Sequence, residues 1–188
     1  MIDKTTIALA ESFRALASTK SVDDITIQEI CDHAGKSRMT FYYHFKDISE
    51  LMDWTFNDKA QKIMSKHTGP NSWQDAIAEL VAYVYDDRPL MMSVYNSVSY
   101  DAMEKSLNDI ISAIIKEVLT NEHLDTLINS QESKFLITLF THGLTGLCMD
   151  WVRDGLKEDP KIITKQLELA LAEFLKGSVI ILNIIDKK

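Results

Sequence analysis

The sequence predicts an all-α protein in two parts, and three observations carry that prediction. Apolar residues recur at helical spacing along most of the 188 residues. Capping residues, Gly and Pro fall between these periodic stretches, where helices start and stop. Convincing apolar–polar alternation is missing, although the β-branched run Val179–Ile185 leaves strand and helix both open. Residues 1–47 read as a small unit of three short helices, and residues 48–188 as a larger helical unit.

The first helix is expected from about Lys4 to Ser18, with Leu9, Phe13 and Leu16 on one stripe. The second has the clearest start signal in the chain. Thr26-Ile27-Gln28-Glu29 is a capping box, in which Thr and Glu satisfy each other's orphan backbone donors. Ile27, Ile30, Cys31 and Ala34 form its apolar face, and Gly35 ends it by entering the left-handed region at little cost. Ser37 caps a third helix that runs to about Phe45, with Phe41 and Phe45 sharing the face that packs inward. Asp47, with Glu50 three residues on, caps a long helix from Ile48 to about Lys66. Gly69-Pro70-Asn71-Ser72 is the strongest loop signal. Beyond it, helices are expected at about Trp73–Tyr85, Pro89–Val98, Asp101–Leu119, Glu132–Gly155 and Pro160–Ile184, with Pro89 and Pro160 in first turns.

Composition narrows the function classes. The net charge is −8, yet it is unevenly spread. Residues 1–47 are nearly balanced, and His33–Lys46 holds Lys36, Arg38 and Lys46 without an acid. A basic island on an acidic body suits local contact with phosphates. Cys31 and Cys148 lie far apart among apolar neighbours and read as buried thiols of a reducing compartment; a redox or metal role lacks ligands at the right spacing. His67, His123 and His142 are scattered and form no metal cluster by spacing. No nucleophile elbow, phosphate loop, dinucleotide fingerprint or catalytic carboxylate pair is present, so neither an enzyme nor a cofactor is expected. The first twenty residues are too charged for a signal peptide, and Val179–Ile185 is too short to span a bilayer. A cytoplasmic protein without a membrane partner is expected.

A helix, a tight turn and a second short helix make a helix-turn-helix, which offers its second helix to the DNA major groove. Residues Ile25 to Leu51 resemble the DNA-binding signature of the TetR family. The likeness rests on Thr26 at the cap, the Ala34-Gly35 turn, the run Thr40-Phe41-Tyr42-Tyr43-His44-Phe45-Lys46, and the acid-capped helix reaching Leu51. Gly143 through Trp151, Gly155 and Asp159-Pro160 are similar to the last two helices of that family's C-terminal domains. Length and a Tyr/Met-rich middle resemble the branch that regulates dihydroxyacetone kinase operons.

The resemblance implies an N-terminal helix-turn-helix domain and a helical ligand-binding and dimerisation domain. It also implies a repressor that binds a palindromic operator as a homodimer. Thr26 and Lys36 would meet phosphates, and Ser37, Arg38, Met39 and Thr40 would face base edges. Arg38 is suited to guanine and Met39 to a thymine methyl. Tyr42, Tyr43, His44 and Lys46 would fix register through the backbone. For Tyr42 and Tyr43 a packing role is the other reading, and for His44 a plain surface role. Phe135, Leu139, Gly143 and Leu147, on a helix apolar nearly all round, and Leu167, Leu171 and Phe174, on the final helix, could form a four-helix dimer interface, or be buried within one chain. Trp54, Phe56, Tyr83, Met91, Tyr95, Met103 and Phe140 could line a pocket for an effector, or be plain core. The signal would come from a small molecule or a partner protein. An all-helical interaction module without operator binding is the competing class; internal pairing of Lys36, Arg38 and Lys46 would favour it.

Overall fold

A computed structural model describes residues 3–67, 72–121 and 131–185. These contain nine α-helices, one 3₁₀ turn and no strand among the described residues. The helices are α1 Lys4–Ala17, α2 Ile27–Ala34, α3 Arg38–His44, α4 Ile48–Lys66, α5 Trp73–Asp86, α6 Arg88–Tyr95, α7 Tyr100–Asn121, α8 Gln131–Arg153 and α9 Pro160–Ile185. The β-branched run near the C-terminus continues α9 as helix. Most of the expected Gly69–Ser72 loop lies outside the described residues, as does His123.

The caps form as their residue types dictate. Asp3 accepts from the Thr5 amide, Ser37 from the Thr40 amide and Asp47 from the Glu50 amide. Gly35 adopts φ +63° at the end of α2, which lets the Lys36 amide close back on the Cys31 carbonyl at 2.8 Å. A residue with a Cβ would be strained there. The turn Val22–Asp24 between α1 and α2 has no apolar periodicity and is not foreseen in the sequence. Helix α6 ends at Tyr95, short of the expected Val98, because Asn96 and Ser97 turn their side chains onto the Met92 and Val94 carbonyls.

The first three helices pack around Leu9, Phe13, Ile30, Cys31, Phe41 and Phe45. Helix α1 also packs on α4 and α6, so this small unit is seated on the larger body. Polar ties reinforce the seat. Ser93 of α6 accepts from the Val22 amide at 3.0 Å and donates to the Lys20 carbonyl at 2.9 Å. Asp23 accepts from the Val98 amide at 3.0 Å. Arg14 of α1 donates through Nε to Asp87, between α5 and α6, at 3.1 Å. In the body, α7 packs on α4 and α8, and α5 packs on α9.

Helix α8 divides its apolar residues between two faces. Ile137, Leu144, Met149, Trp151 and Val152 are buried in the chain, while Phe135, Leu139 and Leu147 are exposed. Among the described residues, Lys134–Arg153 of this helix is long and apolar enough to cross a bilayer by length and composition. A helix covered on two sides has the same composition.

Candidate nucleic-acid interface and interior cavity

The second and third helices form a small reading head. Thr26 and Glu29 close the full capping box: the Glu29 amide donates to Thr26 Oγ1 at 3.2 Å, and the Thr26 amide donates to Glu29 Oε2 at 2.9 Å. Lys20 adds a bond to Glu29 Oε1 at 2.7 Å. Hydrogen bonds from Lys20 and from Thr26 hold the Glu29 carboxyl down at about 2. The hydroxyl of Thr26 also donates to Glu29, so both donors that a phosphate would use are engaged. Thr26 is thus the structural cap expected of it, with its amide and hydroxyl both engaged by Glu29.

Helix α3 shows a buried back and an open front. Phe41 and Phe45 are fully or almost fully buried, with ring centroids 5.9 Å apart. Lys36, Ser37, Arg38, Met39, Tyr42, Tyr43 and Lys46 are exposed, Met39 at 82% and Tyr43 at 85%. Large apolar side chains exposed to that degree have no folding role to explain them. Thr40 is half-buried and bonds the Ser37 hydroxyl at 2.8 Å. Arg38 is held above its ordinary pKa chiefly by its hydrogen bond to Tyr42, one turn on. Among the described residues, no ion pair engages Lys36, Arg38 or Lys46, so the basic strip is open to solvent.

His44 is placed otherwise than expected. Its Nε2 lies 3.3 Å from Asp3 and its Nδ1 3.5 Å from Thr6, with the ring largely covered. It ties the end of α3 to the start of α1 instead of standing at the surface. Trp54 is also reassigned: it stacks edge-on against Phe45 at 6.1 Å and joins the reading head to α4.

Helices α4 to α9 line a partly open cavity of about 150 Å³. Phe56, Tyr83, Met91 and Met103, four of the expected pocket residues, line it. Trp54, Tyr95 and Phe140 do not. Tyr95 packs on Tyr100 at 5.2 Å, and Phe140 packs on Phe174 at 4.4 Å. Most of the wall is aliphatic, from Ile77, Leu107, Ile110, Ile115, Leu144 and others that no single-helix pattern singles out. Cys148 is also in the wall.

The expected dimer residues divide in the same way. Phe135, Leu139, Gly143 and Leu147 lie on the outward face of α8, where a Cβ at Gly143 or Gly146 would meet nothing of its own chain. Leu171 and Phe174 are instead buried in the chain, and Leu167 lines the cavity. Among the described residues of α9, Ile162 and Leu169 are outward and apolar, and the sequence reading missed them although they are spaced seven apart.

An exposed basic recognition helix, anchored by two aromatic residues on an all-helical body, defines a helix-turn-helix DNA-binding regulator. Comparison with known proteins gives the family. Residues 12–53 match the bacterial regulatory proteins of the tetR family, and residues 71–172 match a transcriptional regulator C-terminal region. The chain belongs to the TetR family of transcriptional regulators, which are not enzymes. It is 22% identical over 87 residues to the HTH-type dhaKLM operon transcriptional activator DhaS of Lactococcus lactis subsp. lactis, a match covering 46% of each chain. The chain thus spans about half the length of the curated relative it matches. Its fold is similar to the solved structure of the dihydroxyacetone kinase operon activator DhaS, with a TM-score of 0.67 at 18% identity, covering 91% of this chain and 96% of that one. It is also similar to the TetR family repressor AlkX of a Dietzia strain, with a TM-score of 0.55 at 14% identity, covering 91% and 95%.

Proposed function

We propose that the protein binds a palindromic operator as a homodimer in the cytoplasm and represses transcription until an effector enters the cavity. Residues 1–47 are the reading domain, and residues 48–188 the effector and dimerisation domain. The observation that carries this reading is the front of α3. Lys36, Arg38 and Lys46, in no ion pair among the described residues, flank exposed Met39 and Tyr43, while Phe41 and Phe45 hold the helix from behind. Arg38 and Met39 address bases, and Lys36, Tyr42, Tyr43 and Lys46 address phosphates. Ser37 and Thr40, bonded to each other in the first turn, stand beside Arg38 and Met39 toward the base edges.

Two half-sites need two heads related by a two-fold axis. The outward faces of α8 and α9 supply a surface for this, through Phe135, Leu139, Gly143, Leu147, Ile162 and Leu169. Close approach at Gly143 and Gly146 suits helices packing across the axis. An effector that favours one placement of α4 shifts the spacing of the heads, and with it operator affinity.

Selection of bound sequences from a random DNA pool tests this reading. Enrichment of an inverted repeat is expected; a pool that stays random overturns it. A second reading, activation, is favoured by the likeness to DhaS, which is named an activator. A reporter placed behind the selected operator separates the two: loss of the protein raises expression for a repressor and lowers it for an activator.

A further inference from the structure

Helix α3 is only seven residues long and ends at His44. A helix that short has little stiffness of its own, so its neighbours fix where the last turn points. His44 supplies such a tie. Its Nε2 faces Asp3 Oδ2 at 3.3 Å, and its Nδ1 faces Thr6 Oγ1 at 3.5 Å. A carboxylate only accepts, so Nε2 carries a hydrogen and donates to it. The other oxygen of Asp3 accepts from the Thr5 amide at 3.1 Å, where it caps α1. Both ring nitrogens of His44 are thus turned to the start of α1, and the side chain has no further polar atom to offer a phosphate.

Tyr43, next to it, is the reverse case. Its side chain stands in solvent, and its ring meets the His44 ring edge-on, with centroids 5.0 Å apart and planes at 89°. This is a favoured arrangement for two rings. His44 in turn lies 6.4 Å from Phe45, one of the two buried anchors of α3. The exposed phenol therefore rests on a ring that is itself pinned to α1 and backed by the core. A side chain held in one orientation beforehand loses less freedom when it binds.

We propose that His44 is a positioning residue for operator binding: pinned to α1, it sets the Tyr43 ring so that the phenol, and not the imidazole, meets the phosphate. This inference rests on the reading of α3 as the recognition helix and of Tyr43 as a phosphate contact. It parts from the direct contact that the family resemblance implies for His44. A histidine paired with a phosphate as a cation adds about one unit to the dependence of log affinity on log salt. A neutral phenol adds none. A neutral imidazole bound to its own phosphate would act independently of Tyr43.

Gel-shift titration of the full-length protein on its selected operator tests the inference, with Tyr43→Phe, His44→Leu and the double variant, each over a range of salt at neutral pH. Each single variant should bind about tenfold weaker, the equivalent of one net hydrogen bond. The double variant should bind no weaker than either, because both changes remove the same contact. The salt dependence should match that of the native protein in all three. His44→Gln guards against a folding defect. Its amide still donates to Asp3 but it has no ring, so it should melt with the native protein and yet lose the same affinity. Losses that add in the double variant, a salt dependence about one unit shallower in H44L, or native affinity in Y43F or H44Q overturns the inference. The regulator reading fails separately. A native protein that binds no operator sinks that reading and the inference with it, whereas operator binding with additive losses sinks the inference alone.

Discussion

At the scale of single residues, Arg38 and Glu29 show how side chains only nine positions apart take opposite tasks. Among the described residues no carboxylate pairs with Arg38, and its guanidinium is steadied by Tyr42. The Arg38→Ala variant should lose about 1–3 kcal/mol of operator affinity and relax the preference at one base pair, read by gel-shift titration against single-base operator variants. Lys36→Ala should instead weaken all sequences alike and lower the salt dependence of binding. Glu29 is committed to the fold. Its carboxyl is held at about 2 by Lys20 and Thr26, well below its ordinary 4.5. A depressed folded pKa stabilises the protein above the unfolded value, and that contribution is lost as pH falls from about 4.5 towards 2. Glu29→Gln should flatten this part of the acid unfolding curve, measured by helical circular dichroism. Removing the cap with Thr26→Ala should cost about 1 kcal/mol in denaturant unfolding.

At the scale of elements, the contact between α1 and the α5–α6 corner decides how firmly the reading head is seated. Ser93 is the most exposed to attack by mutation, because one hydroxyl serves both the Val22 amide and the Lys20 carbonyl. Ser93→Ala leaves both backbone groups without that partner and should destabilise by about 1–3 kcal/mol. Faster amide exchange confined to Val22 and its neighbours would be the local signature. The Arg14–Asp87 pair is a weaker restraint. Arg14 is 38% exposed, so solvent screens the attraction, and a double-mutant cycle in thermal unfolding should return no more than about 1 kcal/mol. Its larger effect should fall on signalling, since Arg14 also touches Tyr83 across the ring face.

At the scale of the whole molecule, the outward faces of α8 and α9 hold much of its exposed large apolar surface. Phe135 is 68% exposed, Leu169 62% and Leu147 58%. Exposed apolar side chains on these two helices are what the proposed dimer surface rests on. A charge placed there, in the pair Leu139→Glu and Leu147→Glu, should leave helical content intact and halve the mass measured by sedimentation. Operator affinity should fall with it, because each head alone meets only one half-site. A variant that stays dimeric would move the dimer axis elsewhere on the body.

Read alone, the sequence determined the parts governed by local chemistry. Caps, the Gly35 turn, the spacing of Phe41 and Phe45, and the open strip of Lys36, Arg38 and Lys46 are written within a few residues of one another, and local hydrogen bonds and helical period suffice to read them. The tertiary structure decided what periodicity leaves ambiguous. A helix with apolar residues on more than one face has no single inward side, so Leu171 and Phe174 fell to the core and Ile162 and Leu169 to the surface only once α9 met its neighbours. Aromatic composition marked the middle helices, yet Tyr95, Phe140 and Trp54 found ring partners while aliphatic residues built most of the cavity wall. His44 went to α1 for the same reason. The choice of a neighbour depends on chain segments distant in sequence, and no local pattern of residues encodes it.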